Sequence, residues 1–580
     1  MRERSFALIV LLVTAITYLG ALQFEFVFDD YGQIVFNPFV KAWRYAPDYF
    51  VSSVWKHLAP LSPGNYYRPL FLLLLRLNFS VFGNRPLGWH VAAIALHLLV
   101  TWLVFAVVRK MTGEFTLAWL SALIFGVHPI HHEVVAWISG MTESLFAAMF
   151  LASFLAYLLS RESSKRTWMP VSYVFYALAL LSKETAIVLP AMVFAHGWID
   201  RSSDGAPRVI DRFKNALIPA IGYLPVAIIY VFVRRWVLSG ISHSVSGASI
   251  FTWLLTLPSL LLFYVQHWFF PIHLAESYDV LYQTRLSPLH VILPAAIILA
   301  VGGAIWAVRG RLSARAVAYA AAWIVIPLLP ALDTFIFRPD ELVHDRYFYV
   351  PSIGAALLVA LVIERVAKSK AGVFGQPLRV VAIALALTIV LGFLSARAAS
   401  FWINDYALFS RAHQISPLNA TAASSLGAEM LARGKLDAAG TLLEESYRLH
   451  PDDYRIAYNL GRVEYARHQF PQAAEYTRQA IVLSPNFSDA YISMGAIELK
   501  LGQRAEAQTS FRRAVETSPY SAPAHTTYGI VLALGGDCVA ATEQFKTALI
   551  LNPGDAVTQA QMFRCRAASS TPAPTKPGQL

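Results

Sequence analysis

The sequence predicts an all-α protein in two parts. A polytopic membrane domain of about eleven helices, each near 20 residues long, occupies residues 1–400, and a solenoid of stacked helix pairs follows. Composition, recurring apolar runs and an internal repeat carry this reading. Of 580 residues, 56% are hydrophobic and only 14% charged, with mean hydropathy +0.50. A soluble globular protein is about a quarter charged, so the whole chain is not one. Residues 401–580 hold 16 basic and 16 acidic residues, whereas residues 1–400 hold 31 and 20. The entire excess of +11 therefore sits in the apolar part, a distribution that argues against nucleic-acid binding.

Apolar runs fall near 6–23, 88–108, 116–130, 143–160, 168–182, 185–199, 216–234, 288–308, 314–332, 350–364 and 380–397. The first follows Arg2 and Arg4 and reads as a signal anchor, because no small-residue cleavage site follows it. Basic clusters at Arg109-Lys110, Arg161/Lys165/Arg166, Arg201/Arg208/Arg212/Lys214, Arg309/Arg311/Arg315 and Arg365/Lys368/Lys370/Arg379 all fall on the N-terminal side. That side carries 18 basic and 7 acidic residues, the opposite side 13 of each. By the positive-inside rule the first side is cytoplasmic. Residues 251–269 form a further apolar run. A crossing there would invert every later cluster, so a re-entrant or interfacial helix is expected, and the C-terminal part lies outside the cytoplasm.

Residues Gly427, Gly461, Gly495 and Gly529 are spaced by 34, as are Pro451, Pro485, Pro519 and Pro553, and Ala439, Ala473, Ala507 and Ala541. Ala480, Ala514 and Ala548 share the period. Small residues where two helices cross, with Pro at the turn, resemble tetratricopeptide repeats. Pro417 and Ala412 extend the register backwards, so residues 402–417 read as a lone second helix docked on the last span. Four repeats and a capping helix over 556–567 complete a domain of 401–567, and the Pro/Ser/Thr-rich tail 568–580 is expected to be disordered. Such arrays offer a concave surface for a peptide or protein segment, or serve assembly. The only cysteines, Cys538 and Cys565, fit no zinc or redox motif. One late disulfide is open to them in an oxidising compartment.

Four polar clusters need explanation. Asp29 and Asp30 follow the first span in FVFDDYGQ. Adjacent carboxylates at a membrane surface repel and resist desolvation, which suits one as a base or metal ligand and the other as a positioner; a solvated turn is the plain alternative. HPIHHEVVAWISGMTE carries His128, His131, His132 and Glu133. His128 and His132 have a helical metal-ligand spacing, but the HExxH order is missing, so substrate or phosphate hydrogen bonding, or an interfacial cluster, is favoured. Lys183-Glu184 joins two spans, as an ion pair or a substrate contact. FRPDELVHDRYFYVPS offers Arg338, His344, Asp345, Arg346 and Tyr347, where a guanidinium matches a phosphate. All four clusters face outward and none lies mid-span, unlike a coupled transporter.

With the acidic pair, HPIHHEVVAWISG, LLSKE, HDRYFYVPS and an external repeat array in this order, the sequence resembles the transmembrane and tetratricopeptide-repeat-containing O-mannosyltransferases and their bacterial relatives. These are of the GT-C class, and the similarity covers residues 6 to about 567. The resemblance implies a polyprenyl-phosphate-linked sugar as donor and an inverting displacement. Asp29 would then be the base, and Asp30 would orient the acceptor or substitute for Asp29. Arg346, with His344 and Lys183, would bind the donor phosphate, and His128, His131, His132, Glu133, Glu184, Asp345 and Tyr347 would line the cavity. No cofactor is fixed by the sequence; a divalent cation (Mg or Mn) at Asp29 and Asp30 stays open. The expected function is transfer to a Ser/Thr hydroxyl of a protein, delivered by the array. The expected place is the extracytoplasmic side of a bacterial inner membrane, in contact with lipid and not with nucleic acid. A lipid or glycan acceptor, or a non-catalytic membrane-anchored scaffold, are the alternatives. Truncation after Arg397 is expected to leave the membrane domain insertable while impairing acceptor use.

Overall fold

The computed structural model describes residues 2–57, 65–162, 167–200, 209–240, 248–308, 312–337, 339, 341–367, 371–373 and 375–570. Arg338, Lys165, Arg166, Arg201, Arg208, Arg309, Arg311, Lys368, Lys370 and the tail from residue 571 lie outside the described residues. The chain forms two compact units: 1–35, 43–54 and 65–419 make the first, and 36–42, 55–64 and 420–580 the second. The division thus falls at Asn419, not at residue 400. The helix Asp405–Ile415, read from the sequence as half a repeat, is part of the first unit. Its Arg411 donates to the carbonyls of Leu274 and Ile272 at 3.2 and 3.1 Å, and Ser416 donates to Ser277 O at 2.8 Å.

Among the described residues, seven helical stretches are long and apolar enough to cross a membrane, or eight if the bent pair Val209–Ile221 and Leu224–Leu238 is one span. The predicted eleven exceed this because Phe115–Val127, Trp168–Ser182 and Glu184–Ile199 are short apolar helices, and Ser352–Val366 has only 15 residues. These short helices are held by protein: nearly every residue of Phe115–Val127 is buried in the one large core of the unit. Such a helix need not match the bilayer thickness as a lipid-facing one must.

One end of the bundle gathers the N-terminus and the basic residues. Arg109 pairs with Glu3 at 3.1 Å, Thr116 donates to Gln376 at 2.8 Å, and Phe6 packs on Phe115 and Trp119. Arg315 and Arg365 share a cavity of about 420 Å³ with Met111 at this end. The helix Ile250–Phe269 is a regular 20-residue helix rather than a re-entrant loop. It passes the length and hydropathy test, yet both its ends meet the opposite end of the bundle. Trp253 donates to Leu332 O at 2.6 Å, past the far end of the helix that starts at Ala314. Trp268 O accepts from His128 at 3.1 Å, just past the far end of Phe115–Val127. Its length of about 30 Å, at 1.5 Å per residue, is therefore laid along that end. Hydropathy cannot distinguish lying from crossing; contacts at the two ends can.

The second unit is a stack of helix pairs: Ala420–Ala432 with Leu436–Leu449, Tyr454–Ala466 with Phe470–Leu483, Ser488–Lys500 with Arg504–Thr517, and Ala522–Leu534 with Cys538–Leu551. The helix Ala556–Ser570 follows. First helices begin at 420, 454, 488, 522 and 556, so the last helix is a further first helix with no described second one. The repeated glycines are packing positions. A Cβ on Gly427, Gly461, Gly495 or Gly529 would stand 2.6, 2.5, 2.8 or 2.5 Å from Leu443, Thr477, Phe511 or Phe545, each 16 residues on. Gly529→Val is expected to destabilise the array by about 1–3 kcal/mol through overpacking, read as a lower temperature for proteolytic cleavage within residues 522–570. The loop segment 36–42 belongs to this unit, with Phe39 edge-on to Tyr520 at 5.1 Å.

Candidate active site

The far end of the bundle collects the polar clusters of the first unit. After the first helix the chain turns at Phe28, whose φ of +53° is a left-handed conformation rare for a bulky residue. Its N–H donates to Asp405 Oδ1 at 2.7 Å, and its ring packs between Trp137 and Phe409. A strained residue held from several sides is characteristic of a functional turn, and this one sets the direction of the two carboxylates that follow.

The carboxylates have different surroundings. Asp30 is fully buried; Oδ1 accepts from Ser139 N at 2.8 Å and Ser139 Oγ at 2.6 Å, and Oδ2 from Val27 N at 3.2 Å. Burial pushes it up to about 7 against these three donors. Asp29 is half-buried. Burial pushes it up to about 7 as well, the Arg346 guanidinium pulls it down, and Glu341 and a Gln33 hydrogen bond contribute less. Asp30 thus holds the loop to residue 139 through Ser139. Among the described residues no group of three His, Cys, Asp or Glu is placed to hold a metal ion.

Arg346 is the centre of charge. Its Nη1 pairs with Glu133 Oε1 and its backbone N donates to Glu133 Oε2 at 3.0 Å, while the guanidinium lies over Trp137 at 5.3 Å and Tyr347 at 5.2 Å. Glu133 is fully buried, and burial pushes its carboxyl up while Arg346 opposes. Lys183 pairs with Glu143 and sits 5.2 Å above the same Tyr347 ring. Glu184 takes Arg68 in two hydrogen bonds of 2.7 and 3.2 Å, with Arg234 at 3.9 Å. Arg68, Arg234, Lys183 and Tyr347 rim a cavity of about 470 Å³ whose other walls include Val231 and Phe337. Glu184 and Asp333 also line it, so the cavity sets three cations and two carboxylates beside apolar walls.

The histidines were expected to line this cavity, and none does. His128 donates to Trp268 O, accepts from Ile130 N and stacks on the Trp268 ring at 3.8 Å. His131 donates to Phe125 O at 2.8 Å and meets Ser352 Oγ at 2.9 Å. His132 accepts from Trp402 Nε1 at 2.8 Å and donates to Asp345 at 3.2 Å, and Tyr278 donates to the same Asp345 oxygen. Every ring nitrogen of the three is used by protein, which is a framework role. His344, expected at the phosphate, donates to Glu276 O at 3.2 Å and is buried. The residues that sequence reasoning passed over are Arg68, Arg234, Glu143, Ser139 and Glu276. The Glu276 side chain is buried and pushed up to about 8 by burial, then by Glu341 and Glu133. A signal existed for the two arginines: each lies at one end of an apolar helix, in YYRPLF and FVRRW.

Fold and site together define a polytopic helical membrane protein carrying a repeat array and a carboxylate–guanidinium centre at one end of the bundle. Residues 63–202 match the family described as dolichyl-phosphate-mannose-protein mannosyltransferase, and residues 411–486 and 494–556 match the tetratricopeptide repeat. A protein O-mannosyl-transferase of Caenorhabditis elegans is 25% identical over 72% of this chain and 59% of its own length. The protein O-mannosyl-transferase TMTC4 of Mus musculus is 26% identical over 74% of this chain and 65% of its own. TMTC1 of Homo sapiens is 29% identical over 60% and 44%. The chain therefore spans roughly half to two thirds of these relatives. Among solved structures, a crystal structure of MamA is 20% identical with a TM-score of 0.23, over 26% of this chain and 88% of that one. Over most of its length the chain is thus similar to protein O-mannosyl-transferases, and its C-terminal part matches the tetratricopeptide repeat.

Proposed function

We propose that the chain is a membrane glycosyltransferase that moves a sugar from a polyprenyl-phosphate donor to a Ser or Thr hydroxyl of a protein. The reaction takes place on the extracytoplasmic face, in a bacterial inner membrane. The observation that carries the reading is Asp29, half-buried and pushed up to about 7 by burial, with the Arg346 guanidinium pulling it down; the neighbouring Tyr347 and Lys183 line a cavity with charged and apolar walls. An isoprenoid phosphate has the same two-sided chemistry. Asp29 removes the proton from the acceptor hydroxyl as its oxygen attacks the anomeric carbon. The bond to the phosphate oxygen breaks, and the polyprenyl phosphate leaves with the electron pair. Arg346, Lys183, Arg68 and Arg234 offset the charge that grows on the leaving phosphate, an effect strongest where water is excluded. Attack opposite the leaving group inverts the anomeric centre. The repeat array holds the acceptor protein.

Purified protein is incubated with a panel of polyprenyl-phosphate sugars and Ser/Thr peptides, and both peptide mass and free lipid phosphate are followed. Sugar on the peptide with stoichiometric lipid phosphate is the expected result. Donor cleavage that modifies only added lipid or glycan moves the acceptor to that class. No cleavage, together with unaltered cellular function of Asp29→Asn, reduces the chain to a scaffold. Arg234→Gln leaves Glu184 paired with Arg68 and is expected to raise the donor KM by ~10–100-fold, as for loss of one charge-assisted hydrogen bond, with a smaller change in kcat.

A further inference from the structure

The two cysteines lie on different helices of the second unit, 27 residues apart in sequence, with their Sγ atoms 2.6 Å apart. Cys538 is the first residue of Cys538–Leu551 and is partly exposed; Cys565 lies on Ala556–Ser570 and is buried with Leu532, Ala541 and Phe545. The repeat register gives these positions a meaning. Cys538 occupies the place of Leu436, Phe470 and Arg504, and Cys565 that of Val463, Ile497 and Val531. In an earlier repeat the equivalent residues, Phe470 and Ile497, belong to one apolar cluster. Between Cys538–Leu551 and Ala556–Ser570 both members are cysteine, and these are the only cysteines in the chain. That is where the last first helix has no described second helix to cover it, and Phe563 on it is 72% exposed.

We propose that Cys538 and Cys565 form a disulfide that staples Ala556–Ser570 to Cys538–Leu551. The inference rests on the extracytoplasmic placement of the array. Two thiols lose two protons and two electrons, and one S–S bond forms. The electrons pass by thiol–disulfide exchange to an oxidised protein dithiol of the compartment, whose own disulfide is reduced to two thiols. The partly exposed Cys538 is the sulfur that the oxidant meets first, because Cys565 is buried. Buried Cys565 resolves the mixed disulfide.

The test uses the full-length protein, expressed in cells, quenched in acid and alkylated under denaturing conditions before digestion. The expected result is a cross-linked pair of peptides carrying Cys538 and Cys565, two hydrogens lighter than the sum of the free ones, which alkylate only after reduction. Cys538→Ser and Cys565→Ser each leave one alkylatable thiol without reduction. Recovery of both cysteines alkylated from unreduced wild type overturns the proposal. Purified reduced protein treated with oxidised glutathione then separates the causes. Closure in the tube with thiols in the cell places the fault in the assigned compartment, and failure to close places it in the geometry.

Discussion

Asp29→Asn is expected to lower kcat/KM for sugar transfer by about 10²–10⁴-fold, the usual contribution of a general base, without lowering the melting temperature. The stability half follows from the sign of its shift. The folded protein holds the Asp29 proton up to about pH 7, while an unfolded chain releases it near pH 4. The folded state therefore binds more protons between these values, and ionising Asp29 costs stability as pH rises through that window. An amide of the same size cannot ionise, so at about pH 8 the variant melts no lower than the wild type. The wild-type kcat/KM should rise about tenfold per pH unit below 7 and level off above it. A wild-type profile flat across pH 5.5 to about 8.5, or a variant that keeps its activity, would remove Asp29 from the chemistry.

Arg346→Ala carries the largest combined effect. Glu133 is fully buried, its charge paired with the Arg346 guanidinium and its other oxygen taking the Arg346 backbone N–H, a bond that Arg346→Ala keeps. Removing the guanidinium strands a buried carboxylate, and breaking such a pair costs about 3–5 kcal/mol. Loss of transfer by the single variant is therefore ambiguous. The double variant Arg346→Ala with Glu133→Gln removes both charges and is expected to regain most of the melting temperature while transfer stays absent. Recovery of transfer in the double variant would make Arg346 a counterion of Glu133 with no part in handling the donor phosphate.

The parts of this architecture that were legible from sequence are those written as periodicity or as sided charge. The 34-residue series locates each helix crossing of the array because only glycine fits against the residue 16 positions later. The basic clusters sort the helix ends, and they put Asp29, Glu133, Lys183 and Arg346 at one end, where the structure also has them. What was not legible depends on partners far away in sequence. The spacing of His128 and His132 suits a metal on an isolated helix, yet Trp268, 140 residues away, takes one ring and Asp345, 213 residues away, takes the other. Arg68 and Arg234 are hidden in apolar segments until Glu184 brings them together. The helix Ile250–Phe269 is apolar enough to cross; only its hydrogen bonds at either end reveal its direction.

The bond from Phe28 to Asp405 bears on how such proteins can be recombined. A natural or engineered exchange of repeat arrays, made to change which acceptors are recruited, has a permissible seam after Asn419, where the two compact units divide. A seam at residue 400 or a truncation after Arg397 discards Asp405 and Phe409, and with them two of the groups that hold the Phe28 turn. Such a chimera would lose transfer whatever array it received, and the loss would be misread as a failure of acceptor delivery. The first fifteen or so residues after the last span thus travel, as a heritable module, with the carboxylates more than 370 positions upstream.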